Sequence, residues 1–237
     1  MSYIKNIYSF LKFILLRNKH KRKEAFFIGN GPSVKIEDLK KIQDSGKIIF
    51  VFNRFYLSYE QFDLDFFKPD YIVSIDPDVI NNFASEIISN NHGADVLLGI
   101  NRKSFSGNYK KFFIKNNKPY KVSSFIPFQR VPTGDSVVVS SMNIAYYLGI
   151  KKMYLYGVDH NFTSDEKLSD GKVSGGNNHF LNDYRNGKSW HYPEVESIEY
   201  AFEETDKFLR DRNGFVINCS RFTKLEVIEK QKLEECL

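Results

Sequence analysis

An apolar run that ends abruptly in Gly-Asn-Gly-Pro-Ser at residues 29–33 constrains the fold of this chain more than any other feature. Residues 26–28 are typical of a buried strand, and a helical spacing of apolar residues begins at Ile36. Glycine at the end of a strand lets the backbone approach a ligand closely, and the N-terminus of the next helix favours anions. In an open α/β sheet this strand-to-helix corner is where nucleotides bind. The sequence therefore predicts nucleotide contacts at Gly29, Asn30, Gly31 and Ser33.

The corner matches neither of the two common phosphate-binding fingerprints. Its spacing is not Gly-x-Gly-x-x-Gly, and no Gly-Lys-Ser/Thr follows it. A tight turn without a ligand is the alternative interpretation. We favour ligand binding because Gly, Asn and Ser are all small groups that can contact a nucleotide.

Six apolar runs predict strands, at residues 25–28, 47–52, 70–75, 95–100, 152–156 and 214–218. Most of them are continuous instead of alternating, as a parallel sheet covered on both faces requires. Helical spacing predicts helices at 134–148 and 193–212. The pattern indicates an α/β fold with a mostly parallel, Rossmann-like nucleotide-binding sheet flanked by helices. Residues 25–237 are expected to form one domain, since that length supports a full core.

Three further corners follow predicted strands. Asn53 follows the second strand, Asp76 follows the third, and Gly157, Val158 and Asp159 follow the strand at 152–156. Parallel strands bring their carboxyl ends to one edge, so we expect these residues in one crevice with the first corner. Asn and Asp are also common turn residues, and their shared placement is what favours a site.

Metal binding is an alternative use of the third corner. Asp76 and Asp78 flank Pro77, and two carboxylates at a strand end can hold Mg²⁺ or Mn²⁺ against a diphosphate. The other interpretation is a proline turn with a solvated Asp78, and we expect no metal cofactor. His160, His179 and His191 fit no compact zinc motif.

The net positive charge of the chain comes from its first 24 residues. The net charge is +5, yet residues 1–24 alone hold seven Lys and Arg residues against one Glu. The remainder is near neutral, which argues against a nucleic-acid surface. Apolar residues at helical spacing between Ile4 and Leu15, followed by basic residues, predict an amphipathic helix that lies on an anionic membrane. A helix that packs on the domain is the alternative.

Two cysteines and the absence of a cleavable signal pattern indicate that the protein lies in the cytoplasm. Residues 1–23 are expected to attach it peripherally to the inner face of the cytoplasmic membrane.

The longest predicted loop, residues 160–192, is weakly patterned and rich in Gly, Asn, Ser and Asp. Loops of this length in compact domains are usually lids or binding loops.

The chain resembles the bacterial family-42 sialyltransferases, which use a CMP-activated nonulosonic acid on an A-type glycosyltransferase fold. It is similar also to a wider set that includes hydroxymethylpterin pyrophosphokinase-like and flagellin-glycosylation proteins. The segments that carry the resemblance are 28–33, 53–56, 129–134, 145–149, 154–159 and 178–180, in family order.

The resemblance implies roles for individual residues. Asn30 and Ser33 would hold the phosphate and ribose, and Asn53 would contact the donor near the phosphate. Thr133 and the Gly134 backbone would bind the sugar or its carboxylate, next to Arg130. Gly157 and Asp159 would line the cytidine pocket. A histidine in the lid, His191 or else His179, would be the general base. The chain departs from the family at Asp76, where the sialyltransferases have Asn, and at residues 160–162, where they place tyrosines.

These observations predict a glycosyltransferase that moves a sialic-type acid from a CMP-activated donor, with inversion, to a cell-surface glycan or lipid-linked acceptor of the lipopolysaccharide or capsule kind. A homo-oligomer is compatible with this reading. The alternatives are a pterin pyrophosphokinase-like enzyme, a metal-dependent UDP- or GDP-sugar transferase, and a nucleotide-sensing scaffold without turnover.

Overall fold

A computed structural model describes residues 11–99, 104–116, 118–122, 131–169, 171–176, 178–182, 184, 187 and 189–237 of the chain. Seven strands form one sheet in the spatial order β11-β8-β1-β2-β3-β4-β5, and every pairing in it is parallel. The strands are β1 (Glu24–Ile28), β2 (Ile48–Phe52), β3 (Tyr71–Ser74), β4 (Asp95–Gly99), β5 (Lys110–Phe112), β8 (Lys152–Tyr156) and β11 (Phe215–Asn218). The mostly parallel α/β architecture expected from the sequence is thus confirmed.

Helices cover both faces of the sheet. They are α1, described over residues 11–14, α2 (Ile36–Asp44), α3 (Leu57–Phe62), α4 (Pro77–Ser89), α5 (Val137–Tyr147) and α6 (Val195–Arg210). Neighbouring residues of a strand point to opposite faces, so Phe26 packs with α2 and α4 while Phe27 packs with α5 and α6. This double covering explains why the strands are continuous apolar runs.

Three helices differ in how their sequences place them. The α5 helix is buried on nearly every side, with Val139, Met142 and Ala145 fully inaccessible. The α6 helix is amphipathic and buries Ile198, Phe202 and Leu209. The α4 helix begins at Pro77, and its N-cap Asp76 accepts hydrogen bonds from the backbone N–H groups of Asp78 and Val79. Asp-Pro-Asp is therefore a helix start, since an Asp side chain at the N-cap satisfies amide groups that have no partner within the helix.

Residues 1–23 form a basic leader, and its described part, from residue 11, packs on the domain. Phe13 is fully buried and stacks on Tyr147 and Phe112, at ring-centroid distances of 5.5 and 5.6 Å. Leu16 is also buried, whereas Leu11 and Leu15 are 50% and 81% exposed. One face of this segment thus belongs to the core and the other faces solvent. Within the residues that the structure describes, no helix is long and apolar enough to cross a membrane.

Short strands lie outside the main sheet. β6 (Ile114–Lys115) pairs with β7 (Val131–Pro132), and β9 (Glu166–Lys167) pairs with β10 (Val173–Ser174). The second pair belongs to the lid expected over residues 160–192, which has no other strand pair or helix among its described residues. Phe180 of this lid packs against Phe55 and Phe62, so the lid rests on α3.

Candidate nucleotide site

The site lies where the order of the strands reverses. From β1 the chain proceeds outward through β2, β3, β4 and β5, and it then returns to place β8 on the other side of β1. In open α/β sheets, ligands bind beyond the carboxyl ends of the strands at such a switch point. The corners after β1 and β8 meet there, as the sequence predicts.

Backbone groups of the two corners are in close contact. The N–H of Gly29 donates to the Tyr156 carbonyl (2.7 Å), and the N–H of Gly31 donates to the Gly157 carbonyl (2.9 Å). A methyl group added at Gly29 would lie 2.2 Å from the Gly157 carbonyl oxygen, which is well inside contact distance. The glycines are therefore required by the approach of one corner to the other.

Ser33 and Asp159 hold the corners together. The Ser33 N–H donates to Asp159 Oδ2 at 2.8 Å, and the Ser33 hydroxyl donates to Asp159 Oδ1. Both residues are buried, and burial raises the pKa of Asp159 although the two bonds from Ser33 oppose the rise. Ser33 thus donates both its N–H and its hydroxyl to Asp159. For Ser33 to donate to a phosphate, one of these two hydrogen bonds would have to break.

Asn30 lies between the corner and the lid. Its amide nitrogen donates to the Phe52 carbonyl and to the Tyr184 hydroxyl, each at 3.2 Å. Its carbonyl oxygen Oδ1 is buried and has no hydrogen-bond partner among the described residues. A buried acceptor without a partner costs about 1–3 kcal/mol, so a ligand donor at this point is favoured.

Asn53 and Asp76 come from the next two strands. Asn53 has a left-handed φ of 54°, and its side-chain oxygen accepts from the Ser74 hydroxyl at 2.9 Å. Asp76 caps α4 through Oδ1. Among the described residues, no group of three or more His, Cys, Asp or Glu side chains is arranged to hold a metal ion.

Most of these residues, though not Ser33, line one cavity of about 260 Å³. This volume is close to the lower end of the roughly 300–1,000 Å³ range of small-molecule sites. The two corners, the end of β2, the starts of α4 and α5, the lid and α6 all contribute to its wall. The polar residues of the wall are Asn30, Asn53, Asp76, Ser136, Asp159, His160, Asn161, Asn178, His179 and Tyr184. Gly29, Gly31, Gly157 and Val158 line it as well.

Some residues singled out in the sequence lie elsewhere. Thr133 is buried, and its hydroxyl donates to Asn116 Oδ1 at 2.8 Å. Gly134 has a φ of 51°, and an added methyl group would lie 2.7 Å from the Ala201 side chain. Neither residue lines the cavity. Arg130 lies outside the described residues.

The three lid histidines separate into distinct environments. His191 is exposed and does not line the cavity. His179 lines it and stacks on Tyr184 with ring centroids 3.8 Å apart. His160 also lines it, with a side chain only 3% exposed. The sequence did not assign a role to His160, and its position directly after Gly-Val-Asp was the signal that could have identified it.

Comparison with known proteins places the chain in a family. Residues 1–165 match the family model described as 6-hydroxymethylpterin diphosphokinase MptE-like, and the chain belongs to this MptE-like family. The resemblance to this wider set is thereby confirmed. The search of curated proteins finds no match.

A solved structure provides a distant likeness. The sialyltransferase CstII from Campylobacter jejuni, solved in complex with a substrate analogue, cytidine-5'-monophosphate, is 15% identical to this chain. The superposition has a TM-score of 0.47 and covers 90% of this chain and 86% of that chain. A likeness this distant carries no information on the reaction of this chain.

Proposed function

We propose that this protein is a transferase that binds a nucleotide donor at the β1–β8 switch point and moves a group from it to an acceptor hydroxyl. The observation that carries this proposal is the buried Oδ1 of Asn30, which has no hydrogen-bond partner in the described part of the chain and belongs to a residue that lines a cavity at the carboxyl edge of a parallel sheet. The donor that we favour is a CMP-activated sugar of the sialic-acid type, transferred with inversion to a surface glycan or lipid-linked acceptor.

The charge of the wall favours a monophosphate ester over a polyphosphate. The wall offers neutral amides and hydroxyls at Asn30, Asn53, Ser136 and Tyr184, together with two carboxylates. The pKa of one of these carboxylates, Asp159, is raised by burial, so the surroundings already disfavour negative charge. A CMP ester brings one phosphate into this environment, whereas ATP brings three.

A thermal-shift series tests the proposal with CMP, CDP, UDP, GDP and ATP as probes, each with and without Mg²⁺. CMP at 100 times its Kd should stabilise the protein by about 2.7 kcal/mol. For a chain of this length that corresponds to roughly 5–10 °C in Tm. Asn30→Ala should abolish the shift, while Asn90→Ala, at the far end of α4, should leave it unchanged. No stabilisation by any of the five nucleotides would contradict the proposal.

Transfer of diphosphate to a pterin is the second candidate, and the family match favours it. The description of the family names a 6-hydroxymethylpterin diphosphokinase. For this candidate we propose ATP as the donor of the diphosphate. A larger shift with ATP and Mg²⁺ than with CMP, and release of AMP on addition of 6-hydroxymethylpterin, would move this candidate ahead of the first.

The leader supports a membrane-proximal location. Leu11 and Leu15 are exposed, and five of the seven residues from 17 to 23 are Lys or Arg. Exposed apolar groups beside basic residues suit the surface of an anionic bilayer. Leu11→Asp with Leu15→Asp should reduce sedimentation with vesicles containing phosphatidylserine, and Phe222→Asp, an equally exposed apolar site on the other end of the chain, should not. Equal sedimentation of wild type and the leucine variant would contradict this location.

A further inference from the structure

His160 stands out because it is a buried imidazole that lines the cavity and lies beside a carboxylate. Its side chain is 3% exposed, and within the described part of the chain its Nε2 makes no well-aligned hydrogen bond, although it lies 3.3 Å from Glu199 Oε1 on α6. The distance is that of an ion pair, but the ring is not aligned for a hydrogen bond. A small rotation would align them, and pairing would remove a cost of about 1–3 kcal/mol.

The backbone brings this ring into the cavity wall. His160 has a left-handed φ of 51° at the end of the Gly-Val-Asp corner, a conformation that is uncommon outside Gly and that Asn, Asp and His adopt more often than other residues. Such strain is found where the surrounding structure fixes a functional side chain. The ring contacts Phe162 edge-to-face at a centroid distance of 5.1 Å, and both residues line the cavity.

The charge on the ring is set by its surroundings. Burial lowers the pKa of His160, and the Glu199 carboxylate opposes this shift without cancelling it. The other titratable groups that line the same wall, among the described residues, are Asp159 on the adjoining corner, Asp76 at the start of α4, and His179 and Tyr184 of the lid. The neutral ring that results can accept a proton at pH 7.

We infer that His160 is the general base of the transfer reaction, and that Glu199 is a positioning residue that orients its ring. This inference rests on the proposed function. With Nε2 turned to Glu199, Nδ1 is the ring nitrogen that remains for an acceptor hydroxyl. Histidine–carboxylate pairing of this kind fixes the tautomer and stabilises the imidazolium that forms.

The step balances for either candidate reaction. The O–H bond of the acceptor hydroxyl breaks, its proton passes to His160, and its electron pair forms the new bond to the anomeric carbon or to phosphorus. The bond from that centre to the leaving phosphate oxygen breaks, and its electron pair leaves with the nucleotide. The imidazolium then returns the proton to solvent.

Two variants with matched controls test the assignment. His160→Asn removes the base, and Asn also tolerates the left-handed backbone conformation at this position. Glu199→Gln removes the carboxylate, and Glu203→Gln, one turn along α6 on its exposed face, is its control. His92→Gln, which replaces a ring stacked on Tyr59, is the control for loss of a histidine. Nucleotide affinity is measured by calorimetry, and turnover is measured as CMP release from CMP-N-acetylneuraminate with lactose or as AMP release from ATP–Mg²⁺ with 6-hydroxymethylpterin.

We expect His160→Asn to lower kcat by roughly 10²–10⁴ with less than a threefold change in nucleotide Kd. Glu199→Gln should lower kcat about tenfold and move the acid limb of the pH–rate profile to lower pH, because the carboxylate raises the pKa of the ring. Both controls should behave as wild type. In ¹⁵N-histidine spectra of the wild-type protein, the His160 signal should shift when the protein is saturated with the nucleotide that it binds.

Three outcomes separate the possibilities. Nucleotide binding with turnover within threefold of wild type in His160→Asn would overturn the role of His160 alone. A large loss in His191→Gln with an unmoved His160 signal would give the role to His191. A wild-type protein that binds none of the nucleotides would overturn the proposed function, and the inference with it.

Discussion

At Gly29, a substitution that adds one carbon atom would force apart the two corners that form the site. The methyl group of Gly29→Ala would lie 2.2 Å from the Gly157 carbonyl oxygen, and backbone cannot move aside as a flexible side chain can. We expect the substitution to destabilise the protein by about 1–3 kcal/mol and to weaken CMP binding. Urea unfolding and calorimetry measure the two effects.

The control for this substitution is Gly46→Ala. An added methyl group there meets nothing within 4 Å, and its φ of 68° carries strain of its own. That strain should cost about 1 kcal/mol and leave CMP binding unchanged. Equal loss of binding in both variants would show that crowding of the corners is not the cause.

Asp38 makes stability depend on pH in a defined direction. It is fully buried and accepts from Tyr156 (2.6 Å), Arg221 (2.6 Å) and Lys41 (3.2 Å). Burial alone would raise the pKa of Asp38, but these bonds outweigh it and the pKa is lowered. An acid with a lowered folded-state pKa contributes stability above its unfolded pKa of about 3.9, and the contribution is lost as pH falls through the folded value.

Asp38→Asn should therefore cost more at pH 7 than at pH 3. At pH 7 we expect a loss of about 2–3 kcal/mol, because a hydrogen-bonded charge is replaced by a neutral amide. The difference between variant and wild type should shrink as the wild-type carboxylate is protonated. Urea unfolding at both pH values measures it, and a pH-independent difference would contradict the role given to this charge.

The positions of the candidate site residues were predictable from the sequence only where strand order determines them. The corner residues could be placed together because the ends of parallel strands converge. The bond between Ser33 and Asp159 joins residues 126 positions apart, and no local pattern encodes that pairing. Likewise, the exposure of His191 and the burial of His160 depend on how the lid and α6 pack.

Among the secondary-structure elements, the leader has two faces with different energetic roles. Phe13→Ala removes a fully buried ring from the core and should destabilise the protein by about 3–5 kcal/mol. Leu15→Ala alters an 81% exposed side chain and should change stability by less than about 0.5 kcal/mol. Thermal or urea unfolding of the two variants compares them directly.

Because of this contrast, deletion of residues 1–22 is not a suitable test of membrane binding. Deletion of residues 1–22 would remove Phe13, Leu16 and the backbone bonds from Asn18 and His20 to the end of α5 along with the basic residues. Similar stability of Phe13→Ala and Leu15→Ala would mean that the leader is separable from the domain.

The long apolar strands were readable as elements because burial on both faces leaves a continuous signature. The short edge strand β5 reads Lys-Lys-Phe, which carries no such signature. From the sequence, the start of α4 could be a metal-binding pattern or a proline turn. The structure shows that Asp76 is the N-cap of α4. Capping depends on the φ and ψ of Asp76 and not on residue type alone.

For the molecule as a whole, we expect transfer to proceed in the presence of EDTA. A CMP donor releases a monophosphate, which needs less charge neutralisation than a diphosphate. The check is turnover of CMP-N-acetylneuraminate before and after chelation, with Mn²⁺ and Mg²⁺ added back. Loss on chelation that is restored by Mn²⁺ would instead assign Asp76 and Asp78 to a metal.

The placement of β8 beside β1 has a consequence for how the protein is made. From Ile28 to Lys152 the ribosome must add 124 residues before β8 can pair with β1. At roughly 5–20 residues per second this takes about 6–25 s, during which one edge of β1 has no partner strand. That strand reads Glu-Ala-Phe-Phe-Ile, and an apolar open edge invites pairing with other chains. Synthesis of this protein therefore includes an interval in which the open edge of β1 is exposed to other chains, and the cavity between the β1 and β8 corners forms only when that interval ends.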